Sequence, residues 1–239
     1  EEGGPVSKTS TVQCLSAATA PTTLPVVKDV CGNTLTAPTP VEGGTYDGCE
    51  GTKTYTYTYK DCANLEFVWT YTYTIAHSTA PAEEGGPVSK TSTVQCLDDA
   101  TAPTTLPVVK DVCGNTLTAP DPVVTDNPAS LTCNGTRTYT YTYKDCANLE
   151  FVWTYTYTIA HSTAPAEVGG PVSTSSTVQC LSAATAPTTL PVVKDVCGNT
   201  LTAPDPVVTD NPASLTCNGT RTYTYTYKDC ANLEFVWTY

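Results

Sequence analysis

The residues with the clearest chemistry are twelve cysteines, in three sets of four, and two histidines. Cysteines at this density form disulfides in oxidising compartments, whereas zinc sites need closely spaced Cys and His pairs. No Cys-x-x-Cys pair occurs, and successive cysteines within a set are 13 to 20 positions apart. The sequence therefore predicts disulfides, no metal site, and an extracellular or cell-surface location.

Both histidines, His77 and His161, lie in the segment Ala-His-Ser-Thr-Ala-Pro, which joins one repeat to the next. A neighbouring His and Ser cannot adopt the nucleophile–base geometry of a catalytic triad. We interpret both histidines as solvated linker residues. Because no Gly-rich phosphate loop occurs either, the sequence predicts no catalytic residue, no bound cofactor and no enzyme activity.

The chain is acidic, with 23 Asp and Glu against 11 Lys and Arg, a net charge of −12. This balance argues against a nucleic-acid partner, which needs clustered basic residues, and against contact with an anionic membrane. Acidic pairs near the repeat junctions offer a calcium hypothesis; they are Glu1-Glu2, Glu83-Glu84 and Asp98-Asp99. The third repeat replaces three of these residues with Val168, Ser182 and Ala183. A solvated acidic surface is the interpretation we favour.

The element that must position the cysteines is a hairpin of alternating threonine and aromatic residues, at residues 54–62 and 67–75. It recurs at residues 138–146 with 151–159, and at 222–230 with 235–239. Alternation with a period of two is typical of a strand with one buried face. We expect the aromatic side chains to form the core and the threonines to face solvent.

Three repeats follow from this recurrence, at residues 1–82, 83–166 and 167–239, the last ending within a strand, as expected of a piece of a longer repetitive protein. In repeat 2 the pattern predicts a linker at 83–87 and strands at 88–96, 106–112, and 116–119 with 123–125, before the hairpin. Two prolines place the third strand at a sheet edge. The predicted fold class is all-β, as tandem, disulfide-bonded, immunoglobulin-like β-sandwich repeats.

The hairpin limits which cysteines can pair. Cys49 and Cys62 bracket one strand of roughly 30 Å, too long for a disulfide. If the strands run up and down, Cys14 and Cys49 lie at one end of the sandwich and Cys31 and Cys62 at the other. We therefore predict pairing within each repeat, as Cys14–Cys49, Cys31–Cys62, Cys96–Cys133, Cys113–Cys146, Cys180–Cys217 and Cys197–Cys230. The alternative is Cys14–Cys62 with Cys31–Cys49.

The repeat resembles the HYR-like, immunoglobulin-like repeats of very large surface proteins of Bacteroidota. These include gliding-motility adhesins exported by the type 9 secretion system. The matching residues are the Asp-x-Cys-Gly segment, the Thr-Tyr-Thr hairpin and its Asp-Cys-Ala-Asn turn, and the resemblance covers essentially the whole chain. The family's usual Gly-Asn at that turn is Asn64-Leu65 here. The resemblance implies an extracellular tandem array and no catalytic residues.

We therefore expect a structural segment of a fibre or stalk. Its partners would be neighbouring copies of the repeat, head to tail, with surface glycans or other filament strands as further candidates. Two alternatives stay open from the sequence: a repeat that binds glycans or ice through its Thr or Tyr face, and an ancillary module of a secreted enzyme.

Overall fold

The computed structural model describes residues 1–4, 6–86 and 88–239, so Pro87, which ends the predicted linker, lies outside the described residues. In the described part of the chain, strands make up 41% and helix 4%, and the strands form several small sheets. The predicted all-β class is confirmed. None of the described residues forms a helix long and apolar enough to cross a membrane.

Repeat 1 is built around a four-stranded sheet with the order β1-β4-β3-β2. Its strands are β1 (Thr9–Val12), β2 (Val41–Gly43), β3 (Gly51–Lys60) and β4 (Glu66–Ile75). The pairs β2–β3 and β3–β4 are antiparallel, whereas β1 runs parallel to β4. The long hairpin therefore occupies the centre of the sheet, and the short strands lie at its edges.

The central hairpin forms because the aromatic residues of both strands fall on one face. Tyr57 lies opposite Trp69 with ring centroids 5.6 Å apart, and Tyr59 lies opposite Phe67. The prediction of an aromatic core is confirmed by the buried side chains of Tyr55, Tyr57, Tyr59, Trp69 and Ile75. Most threonines of the opposite face are partly buried.

The segment between the first and second cysteines covers this aromatic face. Val27 is buried against it, and Leu24 packs against it from the same segment. The Tyr55 hydroxyl donates a hydrogen bond to the carbonyl of Ala18 at 2.7 Å. Each repeat thus has two layers, a sheet and a covering segment, with the tyrosines between them.

Repeats 2 and 3 reuse this arrangement. Two short strands span the predicted repeat boundaries, β5 (Ala82–Glu84) and β11 (Ala166–Val168). Repeat 2 contains β6 (Thr91–Val94), β7 (Val108–Lys110), β8 (Val123–Asn127), β9 (Asn134–Lys144) and β10 (Glu150–Ala160). Repeat 3 contains β12 (Val192–Lys194), β13 (Val207–Asn211), β14 (Thr220–Lys228) and β15 (Glu234–Thr238). One 3₁₀ turn follows the first cysteine of each repeat, at Leu15–Ala17, Leu97–Asp99 and Leu181–Ala183. The predicted edge position of residues 123–125 is confirmed, because β8 ends the order β6-β10-β9-β8.

The chain divides into two compact units. One comprises residues 1–88, 105–122 and 141–153, and the other comprises residues 89–104, 123–140 and 154–239. The first unit therefore contains repeat 1 together with the second and fourth cysteines of repeat 2. The second contains repeat 3 together with the first and third cysteines of repeat 2. The three predicted repeat ranges stay a prediction about the domains.

The Lys53–Glu42 ion pair of repeat 1 is replaced by an Arg–Asp ion pair in the two later repeats. Arg137 donates from Nε and Nη2 to the two carboxylate oxygens of Asp126 at 2.8 and 2.9 Å, joining β8 to β9. The hydrogen bonds from Arg137, with its charge, lower the pKa of Asp126, although partial desolvation opposes the shift. Repeat 3 forms the same pair between Arg221 and Asp210.

Tyr57→Ala should destabilise the first unit by about 3–5 kcal/mol, because it removes a buried aromatic side chain. Thr58→Ala, on the other face of the same strand, should cost less than about 1 kcal/mol. Urea denaturation followed by tryptophan fluorescence measures both variants. Equal losses would contradict the assignment of the tyrosine face as the core.

Asp126→Asn should make stability less dependent on pH at acidic values. Since the pKa of Asp126 is lowered in the folded state, its contribution is present above the ordinary Asp pKa of about 3.9 and is lost as the pH falls through the lowered value. The thermal midpoints of wild type and variant should therefore differ at pH 7 and converge towards pH 2. A difference that stays constant over this range would contradict the role of the pair.

Candidate functional site

Four disulfides connect cysteines of neighbouring repeats. They are Cys14–Cys113, Cys49–Cys146, Cys96–Cys197 and Cys133–Cys230, with Cα separations of 5.5 to 5.6 Å. The first and third cysteines of one repeat thus pair with the second and fourth of the next. The first two bonds lie within the first compact unit and the other two within the second.

The predicted pairing within repeats is wrong for these eight cysteines; the predicted bonds were Cys14–Cys49, Cys96–Cys133, Cys113–Cys146 and Cys197–Cys230. The predicted Cys31–Cys62 and Cys180–Cys217 bonds are not formed either, because these four cysteines are free. The physical reason lies in the sheet register. Val12 and Gly51 both pair with Ile75, so Cys14 and Cys49 do end at one edge of repeat 1. At that edge Cys14 and Cys49 each form a disulfide with a cysteine of the next repeat, and they do not bond to each other.

Each second cysteine lies in a loop that an aspartate organises. The Asp111 carboxylate accepts hydrogen bonds from the backbone N–H groups of Cys113 and Asn115 at 2.9 and 2.8 Å, and from the Asn115 side chain. Burial acts to raise the pKa of Asp111, but these hydrogen bonds and the nearby His77 lower it overall. Gly114 follows the cysteine with a φ of +86°, a conformation that suits glycine.

Each fourth cysteine lies in the hairpin turn, which a second aspartate holds. In repeat 2 the Oδ1 atom of Asp145 accepts hydrogen bonds from the N–H groups of Ala147 and Leu149 at 2.9 and 2.8 Å. Asn148 adopts a φ of +62°, which asparagine tolerates better than most residues. The turn thereby presents Cys146 while the second oxygen of Asp145 stays available.

In repeats 1 and 2 the glutamine before the first cysteine fixes the segment that leaves the repeat. Gln13 Oε1 accepts hydrogen bonds from the N–H groups of Ser78 and Thr79 at 3.0 and 2.9 Å, and Gln13 Nε2 contacts the Thr79 hydroxyl. Gln95 bonds Ser162 and Thr163 in the same way. The linker histidine immediately before these residues is thus held beside the disulfides.

The disulfides Cys14–Cys113 and Cys49–Cys146 form the first junction, and Cys96–Cys197 and Cys133–Cys230 form the second. His77 is buried between the two disulfides of the first junction, with 2% of its side chain exposed. Its Nδ1 atom lies 3.2 Å from Asp145 Oδ2 and 3.6 Å from Cys146 Sγ, and its Nε2 atom lies 3.3 Å from Cys113 Sγ. Our interpretation of this histidine as a solvated linker residue is wrong. It fills the space under both disulfides and pairs with a carboxylate that is itself fully buried.

The second junction has a similar arrangement around His161, whose side chain is 1% exposed and whose Nε2 atom, rather than Nδ1, lies 3.3 Å from Asp229 Oδ2. Its ring contacts Cys197 and Cys230, and its backbone N–H donates to Asn134 Oδ1 at 3.1 Å. The solvated interpretation is wrong here too. The recurrence of Gln-Cys, Ala-His-Ser-Thr and Asp-Cys at equivalent positions is the sequence signal that these residues act together.

Two groups at the junctions have the ligand types of a metal site. Cys49, His77 and Cys146 form one, and Cys133, His161 and Cys230 the other, with ligand atoms within 4.8 Å of one another. In both groups the sulfurs are joined in a disulfide. Since metal ions bind the thiolate form of cysteine, the disulfide form leaves only the imidazole as a strong ligand.

The acidic pair Glu83-Glu84, part of the calcium hypothesis, has internal partners in the structure. Glu83 accepts a hydrogen bond from the N–H of Val88 at 2.8 Å, and Glu84 pairs with Lys110 at 2.7 Å. The ion pair of Glu84 joins β5 to β7. Asp98 and Asp99 lie in a short 3₁₀ turn.

Comparison with known families agrees with this picture of repeated four-cysteine units. A model described as an HYR-like domain with 4 cysteines matches the chain three times, over residues 4–75, 86–159 and 169–239. The chain belongs to this HYR-like family. The family is a non-catalytic domain type, and its disulfide-rich repeats fit an extracellular domain. No curated protein matches the sequence.

The disulfides join the HYR-like repeats into continuous covalent paths that bypass most of the chain. One path follows β9 from Cys133 to Cys146, 13 positions, and crosses a disulfide at each end. The ten steps within β9 (Asn134–Lys144) span about 33 Å as a strand and about 36 Å when fully extended. This part of the path can therefore lengthen by only about a tenth before a covalent bond must break.

A second path runs through the covering segments, from Cys96 to Cys113, 17 positions, and on to Cys14. The full repeat, measured from Cys96 to Cys180, spans 84 positions. Each internal repeat is thus bridged twice by segments far shorter than itself. While its disulfides are intact, stretching can lengthen such a repeat only to the extended length of the short segments that bridge it.

His77→Ala should expose the junction sulfurs and speed the reduction of Cys14–Cys113 by dithiothreitol several-fold, because access limits thiol–disulfide exchange. The junction around His161 serves as an internal control in the same molecule. Free thiols are first blocked with N-ethylmaleimide, and newly released thiols are then labelled with iodoacetamide and quantified by mass spectrometry. The block also distinguishes Cys180 from Cys14, whose flanking sequences are the same.

The ratio of reduction rates, Cys14–Cys113 to Cys96–Cys197, should rise in His77→Ala and fall in His161→Ala. A ratio unchanged from wild type in both variants would contradict the shielding role of the histidines.

Proposed function

We propose that this chain is a structural segment of an extracellular fibre or stalk of a large cell-surface adhesin, with no catalytic role of its own. Its task is to transmit tension between a cell surface and whatever the adhesin binds. The resemblance to the repeats of Bacteroidota adhesins points to the same role. The observation that carries the proposal is the double disulfide between successive repeats.

Tension is the load for which this arrangement is suited. An ordinary tandem array holds its ends together only through the stability of each repeat, so force can unfold the repeats one at a time. Here two disulfides bridge each pair of successive repeats, so covalent paths much shorter than the chain connect its ends. Force on the array is therefore carried by peptide bonds and disulfides, and hydrogen bonds need not resist it.

The junction also protects the bonds that carry the load. The sulfurs of Cys49 and Cys133 are in buried residues, and the histidine ring closes each junction from inside. Access governs how fast reductants attack a disulfide. A fibre exposed to the medium benefits from such shielding.

Ligand binding through the aromatic face has less support. Stacking on sugars requires exposed rings, whereas Tyr55, Tyr57 and Tyr59 are almost fully buried. On the threonine face, Thr56 and Thr70 have hydroxyls 3.1 Å apart and satisfy each other across the strands. The structural role is the one that the geometry favours.

Pulling single molecules by their two ends tests this proposal. With all four disulfides intact, the shortest covalent route uses 13 steps from Glu1 to Cys14, 20 from Cys113 to Cys133 and 9 from Cys230 to Tyr239. The oxidised chain should therefore extend to no more than roughly 160 Å, and the reduced chain to about 850 Å. A variant with serine in place of Cys96, Cys133, Cys197 and Cys230 should reach about 500 Å.

An oxidised chain that extends as far as the reduced chain would overturn the proposal, since the repeats would then have no covalent protection against force. Similar extension of the oxidised chain and the serine variant would show that the second junction does not carry load.

A further inference from the structure

Four cysteines remain exposed and without a disulfide partner among the described residues: Cys31, Cys62, Cys180 and Cys217. Their positions are not arbitrary. Cys62 and Cys217 end the covalent path that runs through the strands β14, β9 and β3, and Cys31 and Cys180 end the path through the covering segments. Each path thus stops at a thiol at both of its ends.

We propose that these four thiols are coupling sites for further copies of the same repeat. Cys180 would bond to the residue equivalent to Cys31 in a following copy, and Cys217 to the residue equivalent to Cys62. The partner is a second copy of this chain or of its repeat. The inference rests on the proposed structural role and adds the covalent chemistry by which the fibre is extended.

The loops that carry Cys31 and Cys62 already have the bonded geometry. Asp29 Oδ1 accepts from the N–H groups of Cys31 and Asn33 at 2.9 and 2.8 Å, the same distances that Asp111 shows in the bonded Cys113 loop. Asp61 Oδ1 likewise accepts from Ala63 and Leu65, both at 2.8 Å. This end of repeat 1 is therefore formed before any partner arrives.

The loop that carries Cys180 is formed in the same way. The N–H of Ala183 donates to the carbonyl of Cys180 at 2.9 Å, and the Tyr223 hydroxyl donates to the carbonyl of Ala184 at 2.6 Å. Repeat 2 shows these two contacts next to the bonded Cys96, at 3.2 Å for Asp99 and 2.6 Å for Tyr139. The loop that carries Cys180 thus has the hydrogen bonds of the bonded Cys96 loop, although residues 175–178 form no strand like β6.

Pairing of Cys31 with Cys62 is the competing reaction. At both bonded junctions the second and fourth cysteines bond to cysteines of the preceding repeat and not to each other. We expect the same preference at Cys31 and Cys62, whose loops hold the same hydrogen bonds.

Formation of each bond is an oxidation. The two thiols lose two protons and two electrons, and a small disulfide such as oxidised glutathione accepts both and leaves as two thiols. Exchange proceeds through a mixed disulfide. The oxidising compartment that the other four disulfides require also suits this step.

A complementation experiment tests the coupling. The variant Cys31→Ser/Cys62→Ser keeps only the thiols of one end, and Cys180→Ser/Cys217→Ser keeps only those of the other. In a glutathione redox buffer each variant alone should stay monomeric, and an equimolar mixture should give a heterodimer on a non-reducing gel. Wild type should give a ladder of oligomers that collapses on reduction.

Single-thiol variants test the pairing. A chain whose only exposed thiol is Cys180 should couple at least tenfold faster to a chain that keeps only Cys31 than to one that keeps only Cys62. The reverse preference should hold for Cys217. Dimers of one variant with itself, or equal rates for both pairings, would overturn the proposal.

In a matched experiment, the variant that keeps Cys180 and Cys217 carries an extra copy of residues 156–168 after Tyr239. This extension supplies the strand partner and the histidine that are present at the bonded junctions. The extended variant should form the heterodimer faster than the unextended chain. If neither version forms a heterodimer, the coupling proposal fails. The proposed tension-bearing role would still stand if the oxidised chain resists extension by force.

Discussion

A disulfide tolerates only a narrow range of Cα separations, and at each junction of this protein two such bonds must be satisfied at once. That constraint fixes the end of one repeat against the beginning of the next. The aspartate-held loops and the glutamine that anchors the linker can each be understood as positioning one side of a disulfide. The histidine fills the space that two bonds and four loops leave between them.

Much of the fold can be predicted from the sequence. The alternation of tyrosine and threonine is local information, so it predicts the hairpin, its buried face and the all-β class. Two prolines mark the edge strand in the same way. The Asp-x-Cys and Asp-Cys-Ala-Asn turns are also local, because one aspartate oxygen reaches backbone N–H groups two and four residues ahead.

The disulfide pairing cannot be predicted from such local patterns. Sequence reasoning placed Cys14 and Cys49 at one end of the repeat and Cys31 and Cys62 at the other. It could not tell whether the cysteines at an end bond to each other or to the next repeat, since nearly identical copies offer the same partners. The burial of His77 could not be predicted either, because the residues that surround it come from the following repeat.

The disulfide pairing between repeats changes the functional role that we assign to each repeat. Disulfides inside a small unit compensate for a modest core, whereas bonds between units connect them into a covalent chain of their own. In this protein the strand from Cys133 to Cys146 is both the centre of a β-sheet and a link in that chain. The stability of each repeat therefore depends on its packing, whereas the strength of the array depends on its covalent bonds.

The most direct test of this account is to cut the backbone between repeats and ask whether the pieces stay together. The sequence contains no methionine, so Ala80→Met at an exposed linker position gives one cyanogen bromide site, and the acidic reaction suppresses disulfide exchange. We expect residues 1–80 and 81–239 to remain one species until a reductant is added. Separation of the two fragments without reductant would contradict disulfides between the repeats.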